Sequence, residues 1–160
     1  MSTLPQLLEE DVQELNKALE ELLTRSEATT ALVTDKAGFC IVQQGDLDTF
    51  DATSLGALAS NSFNANQAIA QMINEPNFNT VYQQGEKHSM LVMDVDEFTV
   101  LIIIFPAAVS VGMVKYYAAQ AAQVISRQLM IAKSRSPGQG IDLAMLNMED
   151  SSQLFKKKDL

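Results

Sequence analysis

The chain has 160 residues, which is enough for one globular domain but cramped for two. It carries 11 lysines and arginines against 20 aspartates and glutamates, a net charge of −9 without any basic stripe, so nucleic-acid binding is not expected. A single cysteine excludes an intramolecular disulfide, and with a single histidine beside it the chain has too few ligands for a usual zinc site.

The N-terminal segment, MSTLPQLLEED, has neither a basic region nor a long apolar region. It therefore predicts no signal peptide and a cytoplasmic location. A helix is predicted from Leu4 to about Ser26, because apolar residues recur at helical spacing at Leu8, Val12, Leu15, Leu19 and Leu22. The acids on its other side, among them Glu9, Glu10 and Asp11, are predicted to be solvated.

Two antiparallel strands are predicted next, over residues 29–35 and 39–44. Gly38 lies in the short turn between them, where a left-handed backbone conformation suits a hairpin. Cys40, in the second strand, is interpreted as a buried structural thiol and not as a nucleophile.

The middle of the chain contains an uncharged segment. From Ala52 to Asn74, 23 consecutive residues include no Lys, Arg, Asp or Glu, although 19% of the chain is charged. This segment predicts a helix capped by Asp51 and stopped before Pro76. Its core-facing side is predicted to carry Leu55, Leu58, Ala59, Ser62, Ile69 and Ile73.

The other side of this helix is predicted to carry small or neutral polar residues: Thr53, Ala57, Ser60, Asn64, Gln67, Ala68 and Gln71. No long charged side chain would cover that side, so another protein can approach it without desolvating charge. We predict that it is a protein-contact surface; a solvated helix without a partner is the alternative.

Three more strands are predicted, at about 78–84, 88–93 and 98–105. The last, TVLIIIF, is apolar without alternation, which predicts burial on both faces of the sheet. The first is polar, as an edge strand would be, and a free edge is a template for pairing. The residues expected at this edge are Phe78, Asn79, Thr80, Val81 and Tyr82. His88, alone at a strand start, is not expected to be catalytic.

A final helix is predicted from Ser110, as its cap, to about Lys133. We divide the chain into a domain at 1–134 and, at 135–160, a flexible linker followed by a short tail. Ile141, Met145 and Met148 would share one side of a short amphipathic helix in this tail. That helix would dock on a partner or on the dimer, with simple disorder as the alternative. No run of 18 apolar residues occurs, so membrane insertion is not expected.

The predicted order of elements is αββαβββα. Two strands that are apolar on both faces need helices on both faces, which predicts an α+β fold of three layers. A five-stranded, mostly antiparallel sheet would have its first and fifth strands in the centre. The uncharged helix would cover one face, and the first and last helices would cover the other.

The order resembles the roadblock, or dynein light chain, domain family, whose fold is profilin-like, and within it the bacterial MglB-like regulators. The segments that carry the resemblance are VTDKAGF (33–39), DATSLGALASNSFNANQAIAQMINEPNF (51–78), YQQGEK (82–87), VLIIIF (100–105) and SVGMVKYYAAQAA (110–122). The resemblance implies a homodimer formed through the middle helices and third strands. It also implies that the paired helices activate a small Ras-like GTPase of the MglA type, in bacterial polarity or motility.

The chain itself has no enzyme motif that we recognise: GxxxxGK[ST] and GxSxG are both absent, and no cofactor is expected. Arg25, Arg127 and Arg135 all lie near predicted helix ends, and the resemblance implies activation without an inserted arginine. Two alternatives stay open. One is a scaffold subunit that recruits a GTPase or motor complex. The other is a small-molecule sensor, which would need a sizeable pocket, whereas the small residues of the middle helix predict tight packing.

Overall fold

The computed structural model describes residues 4–46 and 48–135. The elements in chain order are α1 (Glu9–Ser26), β1 (Thr30–Asp35), β2 (Cys40–Gly45), α2 (Ala52–Met72), β3 (Thr80–Gln84), β4 (His88–Asp94), β5 (Thr99–Pro106) and α3 (Val111–Lys133). The predicted order of elements is confirmed. None of these helices is both long and apolar enough to cross a membrane.

The five strands form one sheet in the order β2-β1-β5-β4-β3, and every neighbouring pair is antiparallel. β1 lies directly beside β5, with Leu32 opposite Ile102. Residues of both strands are buried on both faces of the sheet, as their uninterrupted apolar sequences predict. β3 and β2 are the two edges.

Helices cover the two faces of the sheet unequally. α1 and α3 pack together on one face, where the larger apolar cluster includes Leu15, Ile103 and Ile125. α2 lies alone on the other face, over a smaller cluster that includes Phe63 and Ile102. The predicted three-layer arrangement is therefore confirmed.

α1 begins at Glu9, not at Leu4 as the apolar spacing predicts. The backbone N–H of Leu8 donates to Oδ2 of Asp11 at 2.7 Å, which fixes the start of the helix at that point. Asp11 is fully buried, and the prediction that it is solvated is wrong. Its position explains this, because Leu15 and Ala18 follow it by four and seven residues and therefore share its buried face.

A network around Asp11 joins the start of α1 to the chain just after α3. Arg135 donates to both carboxylate oxygens of Asp11, with Nη2 to Oδ1 at 2.7 Å and Nη1 to Oδ2. Gln128 donates to Oδ1 at 2.6 Å. These hydrogen bonds, above all the one from Arg135, lower the pKa of Asp11 from its ordinary 3.8 to about 2, although burial acts in the opposite direction.

The lowered pKa predicts how stability depends on pH. The unfolded chain binds the Asp11 proton more tightly than the folded chain does. The stabilisation from Asp11 is therefore complete above pH 3.8 and is lost as the pH falls toward about 2.

Urea unfolding of Asp11→Asn tests this dependence. Its free energy of unfolding should be lower than that of wild type, by a difference that is full at pH 6 and shrinks below pH 4. Glu9→Gln, at an exposed carboxylate of the same helical turn, is the control and should follow wild type. If the difference in free energy of unfolding between Asp11→Asn and wild type stays constant from pH 6 to pH 2.5, the lowered pKa of Asp11 is contradicted.

Candidate functional site

The N-terminus of α2 is fixed by the predicted cap. Oδ1 of Asp51 accepts hydrogen bonds from the backbone N–H groups of Thr53 at 3.1 Å and Ser54 at 3.4 Å, and Oδ2 accepts from the Ser54 hydroxyl at 2.6 Å. These bonds, the hydroxyl bond foremost, lower the pKa of Asp51. The helix ends at Met72, before Pro76, so the uncharged segment forms one continuous helix as predicted.

Small residues let α2 lie close to the first hairpin. Gly38 at the hairpin tip has a φ of 104°, and a Cβ there would lie 2.9 Å from the Cα of Ala57. The residues that α2 buries are Gly56, Ala59, Ser60, Phe63 and Ala70, of which only Phe63 is large. The helix therefore rests on its small residues around one aromatic ring, which agrees with the tight packing that the sequence predicts.

The amide-rich side of α2 bonds to backbone of its own chain. Nδ2 of Asn64 donates to the carbonyl oxygen of Lys36 at 2.8 Å. The Gln67 side chain donates to the carbonyl oxygen of Phe78 at 2.6 Å and accepts from its N–H at 3.0 Å. The Ser60 hydroxyl donates to the carbonyl oxygen of Asp35 at 3.1 Å. The middle of the helix is thus tied to the hairpin, and its C-terminal third is tied to the entry into β3.

With these bonds, the orientation of α2 about its own axis differs from the one that the sequence predicts. Ser60 is fully buried, so it does not point outward as predicted. Ala57 and Gln67 are half-buried, and the other predicted contact residues are exposed: Thr53, Asn64, Ala68 and Gln71. Their role in contacting a partner stays a prediction.

Three residues that were predicted to face the core are exposed instead. Leu58 is 69% exposed, Ile69 49% and Ile73 62%, and Met72 beside them is 82% exposed. The buried face is rotated by roughly a quarter of a turn from the predicted one, because α2 packs through small residues. Leu58, Ala65, Ile69 and Met72 follow one another along the outer surface of the helix, and we call these four residues the apolar stripe.

β3 lies at the edge of the sheet, as its polar sequence predicts. It pairs with β4 on one side, and within the described part of the chain no strand lies on its other side. Thr80, Val81 and Tyr82 belong to this strand, whereas Phe78 and Asn79 precede it. The predicted edge position is confirmed, and pairing of this edge with a second copy stays a prediction.

The two sides of β3 face different layers. Val81 packs against the cluster beneath α2, and Tyr82 points to the opposite face, where its ring stacks on Phe105 at a centroid distance of 6.2 Å. The edge strand therefore contributes Val81 to the core beneath α2, and its sequence, TVYQQ, contains no charged residue.

The side chains that could carry chemistry are dispersed. Cys40 is half-buried, and burial raises the pKa of its thiol, which disfavours the nucleophilic thiolate. His88 is exposed at the start of β4. Across residues 4–46 and 48–135, no three His, Cys, Asp or Glu side chains come together as metal ligands would.

The arginines lie away from α2. Arg25 lies in the last turn of α1 and Arg127 lies on α3, both exposed, while Arg135 is bound to Asp11. The predicted docking residues of the tail, Ile141, Met145 and Met148, lie outside the described residues.

A groove of about 720 Å³ lies on the face of the sheet opposite α2, between α3 and the β3–β4 pair. Six of the residues that line it are Met93, Val95, Lys115, Ala119, Arg127 and Met130, and we call it the α3 groove. Its size is that of a small-molecule site, and Asn79 and Thr80, two of the residues that the sequence predicts at the dimer edge, line one side of it.

The sequence matches the family model of the Roadblock/LC7 domain over residues 14–105. No curated protein matches the sequence. Among solved structures, an MglB with a tetrameric arrangement shares 25% identity and a TM-score of 0.75, covering 82% of this chain and 99% of its own. Myxococcus xanthus MglB shares 25% identity and a TM-score of 0.76, covering 81% and 98%. Acanthamoeba castellanii profilin IA, at 13% identity and a TM-score of 0.51 over 73% and 97%, shares the fold alone.

Proposed function

The chain belongs to the Roadblock/LC7 domain family, and from that membership we propose that it is a homodimeric activator of a small Ras-like GTPase of the MglA type. It would act without a catalytic site of its own, in the cytoplasm, in bacterial polarity or motility. The observation that carries the proposal is the apolar stripe, because four outward small or apolar residues on an uncharged helix are costly to leave in water.

The dimer would form about a two-fold axis beside α2 and β3. Two copies of the apolar stripe would pack against each other, and the free edges of the two β3 strands would pair into one continuous sheet. Gln67 of α2 bonds to Phe78 at the entry into β3, and this link between the helix and the edge strand supports a single symmetric interface that includes both contacts. A monomer in sedimentation at micromolar concentration would contradict this assembly.

The GTPase would meet the outer surface of the paired helices. Thr53, Ala68 and Gln71 are exposed and neutral, and Ala68 lies three residues after Ala65 and four before Met72, beside the apolar stripe. A flat, neutral surface can contact the switch loops of a GTPase without removing water from charged side chains of its own. Rearranging those loops positions the GTPase's own catalytic groups, which is the route that the resemblance to MglB-like regulators implies.

The arginines provide a test of this route. An inserted arginine contributes roughly 10³–10⁵ to GTP hydrolysis, so removing one would abolish stimulation. We expect Arg25→Ala and Arg127→Ala to change stimulated single-turnover hydrolysis by less than about fivefold, because neither residue lies on the proposed contact surface.

Arg135→Ala requires a second measurement, because this residue binds Asp11. Its thermal unfolding should be recorded beside the hydrolysis rate, so that loss of fold is not mistaken for loss of a catalytic group. A drop of several orders of magnitude at any one arginine in a folded variant would overturn the proposed route.

The proposal as a whole is tested by binding of the Ras-like GTPase from the same organism. Titration calorimetry should show tighter binding of the GTPase in its GTP-analogue form than in its GDP form. Binding to both forms with equal affinity and without stimulated hydrolysis would favour the scaffold alternative.

A further inference from the structure

The α3 groove has an apolar floor and a basic margin. Met93, Val95 and Ala119 contribute apolar surface, and Met130 at the end of α3 is 67% exposed. Lys115 and Arg127 are exposed along the same helix, and within the described part of the chain neither of them forms an ion pair, whereas Asp94, which also lines the groove, is paired with Lys36 at 2.9 Å. The groove therefore suits an amphipathic segment that brings apolar side chains and negative charge.

We propose that residues 141–148 of the same chain dock in the α3 groove. Ile141, Met145 and Met148 are spaced by four and three residues, which places them on one side of a helix. Methionine adapts well to an irregular apolar groove. Asp142, within the segment, and Glu149, just after it, provide the charge that complements the basic margin.

The length of the chain permits this docking. α3 ends at Lys133, and Arg135 is bound to Asp11, so the tail leaves the domain within two turns of Met130. Six residues from Arg135 to Ile141 reach up to about 20 Å. The groove side of α3, from Lys115 to Met130, is about 22 Å long, and a helix over 141–148 is about 12 Å long.

The composition of the linker suits the direction that docking requires. To enter the groove, the tail must reverse and run back along α3. Pro137 followed by Gly138 is the residue pair that a type II turn prefers at its two central positions. The proposal rests on the groove and on this sequence and does not depend on any GTPase.

The test uses the full chain with ¹³C-labelled methionine methyl groups. Met93 and Met130 report on the groove, Met145 and Met148 report on the tail, and Met72 on α2 is an internal reference. Ile141→Asp should shift the Met93 and Met130 resonances by more than a line width and leave Met72 unchanged. Ala119→Glu, at an exposed position in the groove, should in turn shift Met145 and Met148.

Gln120→Glu is the matched control, because it adds the same charge one residue further along α3, outside the α3 groove. It should leave all four resonances in place. Unchanged Met93 and Met130 resonances in Ile141→Asp would overturn the proposal. So would contacts between Met148 and Met130 that appear only between differently labelled chains, since these would place the tail in a second copy.

Discussion

Replacing Leu58 with Glu is expected to raise the dissociation constant of the proposed homodimer by at least about 100-fold. Burying a leucine side chain contributes about 1.5 kcal/mol or more, and a two-fold axis uses every side chain twice. The resulting 3 kcal/mol or so corresponds to a factor of about 100, before the cost of burying a carboxylate is added. Leu58 is 69% exposed in the protomer, so the substitution should leave the fold intact.

Sedimentation equilibrium of Leu58→Glu and Gln71→Glu measures this effect. Both variants add one negative charge to α2, but Gln71 lies on the neutral side of the helix and not in the apolar stripe. We expect Gln71→Glu to remain a dimer. A dimer that tolerates Leu58→Glu and dissociates in Gln71→Glu would place the interface on the side that the sequence predicts.

The second large effect is expected on the free energy of unfolding, in the variant Phe63→Ala. Phe63 is 1% exposed and is the only large side chain that α2 buries, with Nζ of Lys36 lying 5.7 Å from the centre of its ring. Removing a buried aromatic ring typically costs about 3–5 kcal/mol, through lost burial and the cavity that remains. The other residues that α2 buries are small, and its partly buried Leu55 already packs against the same cluster as Phe63.

Urea unfolding at neutral pH measures this loss, with Phe39→Ala as the control. Phe39 is 40% exposed in the first hairpin, so its truncation should cost less than about 1 kcal/mol. Equal losses in the two variants would contradict the view that a single ring anchors α2 to the sheet.

Much of the fold was predictable because its signals are local. The uninterrupted apolar run of β5 indicates a central strand, Gly38 indicates the hairpin, and Asp51 and Ser110 indicate where two helices begin. Each of these signals depends on residues within a few positions of one another, and the structure confirms all of them.

The orientation of α2 was not predictable in this way, because it depends on distant backbone. Gln67 bonds to Phe78 and Asn64 bonds to Lys36. The spacing of apolar residues within the helix contains no information about these distant partners. The periodicity instead placed Leu58 and Ile69 in the core, on the assumption that the largest apolar residues are buried. Large apolar residues face outward where a helix contacts another protein, which is the role that we propose for Leu58 and Ile69.

Asp11 was misplaced for a similar reason. Its partner Arg135 lies more than a hundred residues further along the chain, so the pattern of α1 alone indicated a solvated acid. The spacing of Asp11 from Leu15 and Ala18 was the one local signal of its burial.

Single-turnover GTP hydrolysis by the Ras-like GTPase of the same organism tests the central claim most directly. The hydrolysis rate should be measured for the GTPase alone, for the GTPase with the wild-type protein added, and for the GTPase with Leu58→Glu added. We predict clear stimulation by wild type and its loss in Leu58→Glu, because in the proposed complex the paired α2 helices form the surface that contacts the GTPase. Clear binding by wild type without any stimulation would contradict the account and leave a scaffold in its place.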